Sequence, residues 1–498
     1  MKRRLPCFLA PTLLCALLSL ALADPGYAQT CGPGSGPTVT VQPGDDVQSL
    51  VNSVGCGSTF MFSPGVYKKL SVVPLDFDQF ISSTPQGATL SGATVVNNFV
   101  FNKKINLWVG KIQIIPVPNP KGQCNPGTVG CVHPEDLFFN GVLYARVNAY
   151  TSVVSGTWHL NYTSGNVYLA DNPTGQTIEI STTRFAIGGG NITSVVVSGF
   201  IIEKYGSPAN NGAIEGIDYY GATTKPAFNW LIENNEIRYN HGAGVWLGNQ
   251  MTVTGNNLHH NGEYGVAGTG NNVTVTNNQI AYNNAANYLF AWGGGTKFAQ
   301  IVKLTVTNNH SHDNNGPGLW TDIENSNVDI GFNQLSNNRV AGIFYEISYS
   351  ARIHDNTITN DGIDTRGTGP WWGAGILIDN SSGVQVYNNT ITNCQNGIME
   401  QNRNRGNGSN GLPYLLQNVI VYNNTITQNT RFAAGLVKNY PTGNQMYTSW
   451  GNTFGIDANG KAAPNTYNIP SSVNFVWLFD NVANSPITLQ QWQAAGNN

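Results

Sequence analysis

Three short segments of this chain end on an acid: Gly318-Leu-Trp-Thr-Asp322, Gly342-Ile-Phe-Tyr-Glu346 and Gly375-Ile-Leu-Ile-Asp379. With the glycines aligned, Leu319, Ile343 and Ile376 share one position, and Thr321, Tyr345 and Ile378 another. Strand alternation then sends Trp320, Phe344 and Leu377 to the opposite face, together with Asp322, Glu346 and Asp379. An earlier segment, Gly244-Val-Trp-Leu-Gly248, adds Trp246 to that face without an acid. Asp322 and Glu346 are 24 residues apart. If those 24 residues make one coil of stacked strands, the two carboxyl groups lie about 5 Å apart. That is the separation retaining glycosidases use, with one acid as nucleophile and the other as acid/base. Like charges so close also raise one pKa, which suits a general acid. Trp320 and Phe344 beside the acids offer an apolar platform for a sugar ring. Two other readings stay open: a structural Ca²⁺ held by the acid column, and acids that are merely solvated.

The repeat that would position these residues is visible elsewhere. Val273-Thr-Val-Thr-Asn-Asn-Gln-Ile280, Val384-Gln-Val-Tyr-Asn-Asn-Thr-Ile391 and Val419-Ile-Val-Tyr-Asn-Asn-Thr-Ile426 are variations on one strand-and-turn. They align Asn235, Asn256, Asn278, Asn309, Asn333, Asn356, Asn389 and Asn424, at intervals of 21, 22, 31, 24, 23, 33 and 35 residues. A turn Asn tolerates a left-handed backbone, and stacked copies can bond to one another along an axis. The pattern predicts an all-β chain folded as a right-handed parallel β-helix with an Asn ladder. Asp45-Asp46 before a Val47, Leu50, Val51, Val54 stripe predicts a short helix capping the open end. Thr59 to Tyr67 reads as the first strand and turn. The expected divisions are a leader at 1–28, the cap and first coils at 29–99, a small inserted β subdomain at 100–185, the main helix at 186–440 and a terminal cap at 441–498.

Composition limits the functions available. The chain has 498 residues, 24 Lys+Arg against 27 Asp+Glu, only 10% charged residues and 57 Gly. Lys2, Arg3 and Arg4 precede an apolar run from Phe8 to Leu22, with small residues at Ala23 and Ala28, which is the form of a secretory signal. The mature chain is therefore expected outside the cytoplasm, free of the membrane, weakly acidic and without a footprint for nucleic acid. Oxidising conditions favour the short-range pairs Cys31–Cys56 and Cys124–Cys131, with Cys394 a buried thiol. No cofactor is called for unless the acids bind Ca²⁺, and the expected partner is a polysaccharide or oligosaccharide.

At its acid-bearing strands the chain resembles bacterial secreted right-handed β-helix carbohydrate-active proteins, particularly β-xylosidase-type glycoside hydrolases. Those proteins carry a Gly-[Leu/Ile]-Trp-x-Asp strand followed one coil later by an apolar-aromatic-x-Glu strand, matched here by Gly318 to Asp322 and Ile343 to Glu346. The resemblance implies Asp322 as nucleophile and Glu346 as acid/base. It extends through Glu135-Asp-Leu-Phe-Phe-Asn-Gly141, Gly156-Thr-Trp-His159 and Gly165-Asn-Val-Tyr168. Further candidates are Trp371 and Trp372, as a subsite wall or a loop anchor, and Arg352, as a substrate contact or a structural ion pair. His310 and His312 read as turn residues, and Glu400 falls one place off the acid column. The cations Lys303, Arg339, Arg352 and Arg366 are scattered, which weakens a Ca²⁺-dependent polysaccharide lyase as the alternative enzyme. A non-catalytic glycan-binding solenoid is the third possibility.

Overall fold

The computed structural model describes residues 31–117, 120–217, 225–363, 372–428, 431–439, 451–478 and 486–498. The leader expected at 1–28 lies outside them. Short parallel strands stack into a right-handed parallel β-helix with three ladders of strands. Two ladders run together because the long strands Tyr264–Thr276 and Gly294–Thr307 bend through the corner between them. The third is a separate 12-stranded sheet. Alternate residues point inward and stack in files such as Leu319, Ile343, Ile376 and Ile398. These files make one continuous core from Val41 to Trp492.

Side-chain amides lock the coils together. In the aligned file each Asn accepts from the backbone N–H and the amide of the Asn one coil earlier, from Asn235 (3.0 Å) through to Asn424. The file continues to Asn465, 41 residues further on. A second ladder, absent from the sequence reading, runs through Asn240, Asn261, Asn283, Asn314 and Asn338. There Asn338 donates its N–H to Asp361 Oδ1 (2.6 Å), and Asp361 donates to Cys394 Sγ (3.4 Å). Buried polar groups left unpaired cost about 1–3 kcal/mol each, so these ladders fix register as well as adding stability.

The ends and the insert depart from the expected divisions. Thr38–Val41 precedes Thr59–Phe62 and pairs with it, so the first strand comes earlier than Thr59. The helix Val47–Val54 is capped by Asp46 and buries Val47 and Val51. The insert consists of two small sheets whose first and last strands along the chain are Ala93–Val95 and Ile178–Ser181, so it begins before residue 100. Coils also extend past 440. Thr453–Phe454, Thr466–Asn468 and Asn474–Leu478 each pair with the coil before, and the helix Leu489–Ala494 closes the end with Trp492. The long 424–465 interval had hidden this coil. Cys31–Cys56 and Cys124–Cys131 are disulfides, and Cys394 is a buried thiol.

Asp361 is the one carboxyl in an amide file among the described residues, and burial pushes its pKa up to about 8. The unfolded chain releases this proton near pH 4, whereas the folded chain keeps it. Its contribution is therefore full below about pH 4 and declines as pH rises toward about 8. Asp361→Asn should match the parent in unfolding free energy near pH 4 and exceed it by a margin that grows up to about pH 8. Parallel pH profiles in urea titrations would contradict this.

Candidate active site

The acids stand at the ends of their strands. Pro317–Asp322, Ala341–Glu346 and Ala374–Asp379 all terminate on the carboxylate. Each acid is followed by a residue in the left-handed region: Ile323 (φ 59°), Ile347 (φ 37°) and Asn380 (φ 46°). Isoleucine rarely adopts this conformation, and such strain, about 1–3 kcal/mol per residue, concentrates at functional sites. The corner it makes is held by Asn325, Ser348 and Ser381, stacked on one another.

Register places the three acids side by side. Thr321 pairs with Tyr345, which brings Asp322 opposite Glu346, and Glu346 pairs with Asp379. Ala299 precedes Asp322 in this file and Gln401 follows Asp379. All three carboxylates are buried. Three cations meet them from the flanking coils. Lys297 Nζ lies 3.0 Å from Asp322 Oδ2. Arg403 bonds Asp379 and lies 3.3 Å from Glu346 Oε1. Arg405 bonds Glu346 and lies 3.8 Å from Asp379 Oδ2.

The two leading carboxyls have unlike surroundings. Glu346 accepts from Trp320 Nε1 (3.1 Å), and burial, reinforced by the Asp322 and Asp379 charges, pushes its pKa up to about 8 against the pull of Arg405 and Arg403. Asp322 is paired with Lys297 through Oδ2, while its Oδ1 has no hydrogen-bond partner among the described residues. Asp379 Oδ1, Gln401 Oε1 and Nε2, Tyr264 Oη and Glu263 Oε1 are also buried without partners among those residues. Glu263 belongs to the same electrostatic group through Lys297, and burial pushes it up to about 8. Buried polar atoms are nearly always paired, and this site gathers several that are not.

Several expected site residues fall elsewhere or behave differently. Trp320 and Phe344 stack on each other at 5.6 Å, but they are only 2% and 1% exposed. Trp372 packs edge-on against Phe344, Phe290 packs on Trp372, and Lys297 covers the Trp320 ring at 3.9 Å. The expected open sugar platform is thus a closed aromatic cluster. Trp372 anchors it, with the Arg403 guanidinium 4.8 Å from the Trp372 ring. Trp371 and Arg366 lie outside the described residues. Trp246 is in the same outer cluster, but Ala267 and Lys297 come between it and the acid strands. Arg352 is past the corner on Tyr349–His354, in the next ladder. It pairs there with Asp329 (3.0 Å), so it does not reach the acids. His310 and His312 lie on a third-ladder strand, their tilted rings 4.3 Å apart. Glu400 pairs with Ile378 and points into the core, where its carboxyl accepts from Asn452 (3.2 Å) and burial pushes its pKa well above the usual range.

Lys297, Arg403, Arg405, Tyr264 and Glu263 were not found from sequence. The available signal for Arg403 and Arg405 was the continuation of Asn396–Arg403 beyond Gln401, the next member of the acid file. The donor set does not fit Ca²⁺, which takes roughly six to eight oxygen ligands. Here ammonium and guanidinium groups already occupy the carboxylates. The insert also reaches this face. Just before the disulfide-closed loop, Gln123 O accepts from Leu289 N–H (2.7 Å), and in the turn after Leu289 Ala291 O accepts from Lys297 Nζ (3.1 Å).

Residues 216–391 match the family described as the right-handed β-helix region. The fold is similar to that of XylC in complex with xylose, at 15% identity over 88% of this chain and 83% of that one, with a TM-score of 0.63. The A-module of the Azotobacter vinelandii mannuronan C-5 epimerase AlgE6 aligns over 87% of this chain and 95% of its own at 11% identity, with a TM-score of 0.42. No curated protein matches the sequence.

Removing a buried charge's partner costs far more than breaking an exposed pair. Lys297→Met should therefore destabilise the fold by about 3–5 kcal/mol, and Arg352→Met by less than about 1 kcal/mol. Comparable losses in denaturant titrations would contradict the placement of these two cations.

Proposed function

We propose that this protein is a secreted carbohydrate-active enzyme that hydrolyses a glycosidic bond with retention at the anomeric carbon. Two carboxyls, one strand spacing apart and in unlike surroundings, carry the reading: Glu346 held protonated and Asp322 with a free oxygen beside an ammonium. Asp322 Oδ1 attacks the anomeric carbon while Glu346 gives its proton to the departing glycosidic oxygen. One C–O bond breaks and an ester to Asp322 forms. A water then gives its proton to Glu346 and attacks the same carbon, which releases the sugar and restores both acids. Lys297 orients Asp322 through Oδ2 and leaves Oδ1 to react. Asp379, tied to Arg403 and Arg405, fixes the far side of Glu346.

Xylose in the complex of the similarly folded XylC supports a sugar ligand. The β-xylosidase-type resemblance makes an aryl β-xyloside the first substrate to try. Two disulfides and the signal-like amino terminus support secretion. One observation favours a second reading. Three cations beside the acids would also suit a polysaccharide lyase acting on uronates, although each is already spent on a carboxylate.

The hydrolase reading predicts that Asp322→Ala abolishes release of reducing sugar and that Glu346→Gln lowers kcat by about 10²-fold or more, with both proteins folded. Activity should fall as pH rises through about 8, where Glu346 loses its proton. Nuclear magnetic resonance of the first-formed product should show the retained anomer. An inverted product, or an unsaturated uronate absorbing in the ultraviolet, would overturn the reading.

A further inference from the structure

A cleft of about 490 Å³ lies where the insert meets the early coils, away from the acid column. Three of its lining residues are basic, Lys69, Lys111 and Arg184, and none is acidic. The chain as a whole carries a net charge of −3, so this is a local reversal of sign. Lys69 and Lys111 have no ion-pair partner among the described residues, unlike the site cations Lys297, Arg403 and Arg405. Lys69 sits in the left-handed region (φ 55°), with its N–H bonded to Ser91 O (2.7 Å). On the opposite wall the Asn98 amide both donates to and accepts from the Lys111 backbone (3.1 and 3.0 Å). Both lysines thus have fixed backbones. Asn97 and Gln113 add exposed amides, and Ile112 an apolar surface.

We propose that this cleft binds a carboxylate-bearing sugar, a uronate carried by the polysaccharide on which the enzyme acts. The reading rests on the carbohydrate activity proposed above. Two unpaired ammonium groups supply charge for a carboxylate, the amides bond ring hydroxyls, and the volume is that of a small-ligand pocket. Arg184 lies just before Ile187–Gly188, which is joined strand by strand to Pro317–Asp322 through five strand spacings. That is about 24 Å along the solenoid, within the length of a polymer of several sugars. The cleft holds a substituent of the chain while the acids cut its backbone.

The test is native gel electrophoresis of the whole protein in gels containing polygalacturonate, alginate or unsubstituted β-1,4-xylan. The parent should be retarded by at least one acidic polymer, and salt should relieve the retardation. Lys69→Ala/Lys111→Ala should weaken the apparent affinity about tenfold or more, with unchanged kcat on a small aryl glycoside. Asp322→Asn should be retarded as the parent is, which separates failure of the cleft from failure of the catalytic reading. Displacement by free glucuronate assigns recognition to a single uronate, and displacement only by acidic oligosaccharide assigns it to a run of them. Displacement by inorganic phosphate as readily as by glucuronate would make the cleft a general anion site and overturn the proposal. Equal retardation of parent and double variant, or none by any acidic polymer, would overturn it too.

Discussion

Each coil is held to the next by buried amides that have nowhere else to bond. An Asn in the ladder satisfies backbone groups of its own coil and of the one before it, so a slip of one residue would leave several buried donors and acceptors bare. The strand spacing of about 4.8 Å then becomes a ruler. Residues separated by a whole coil are forced into side-chain contact whatever their charges. That constraint brings Asp322, Glu346 and Asp379 into one file, where unaided repulsion would drive them apart.

Holding three carboxylates in one file requires compensation, and its unevenness matters. Lys297 serves Asp322 from the upstream coil. Arg403 and Arg405 serve Glu346 and Asp379 from downstream. Glu346, in the middle, feels a carboxylate on each side and lies beneath Trp320, and burial with those charges pushes its pKa up to about 8. A regular scaffold thus makes two chemically similar side chains unequal, as an acid/base pair requires.

Features that repeat with one residue type were legible in the sequence. The Val/Ile files, the first Asn ladder and the registration of Asp322 on Glu346 all belong to that class. The second ladder was hidden because it changes from Asn to Asp361 and Cys394 along its length. Cations were missed because they arrive from other coils. Lys297 lies 25 residues before Asp322, and Arg403 lies 57 after Glu346. Arg352 looked close to Glu346 because it is six residues away, but Ile347 turns the chain through a corner and carries Arg352 to another face. Trp320 and Phe344 have the side chains a sugar platform needs, yet only the folded chain shows Trp372 and the Phe290 turn closing over them.

The central claim is that Asp322 is the atom source of a covalent intermediate, and chemical trapping tests it directly. The protein would be incubated with 2,4-dinitrophenyl 2-deoxy-2-fluoro-β-xyloside, digested and examined by mass spectrometry. The account predicts a mass gain of one fluorosugar on the peptide that contains Asp322, absent from Asp322→Asn. An enzyme that turns over β-xylosides yet carries no adduct, or carries it on Glu346 or Asp379, would contradict the account.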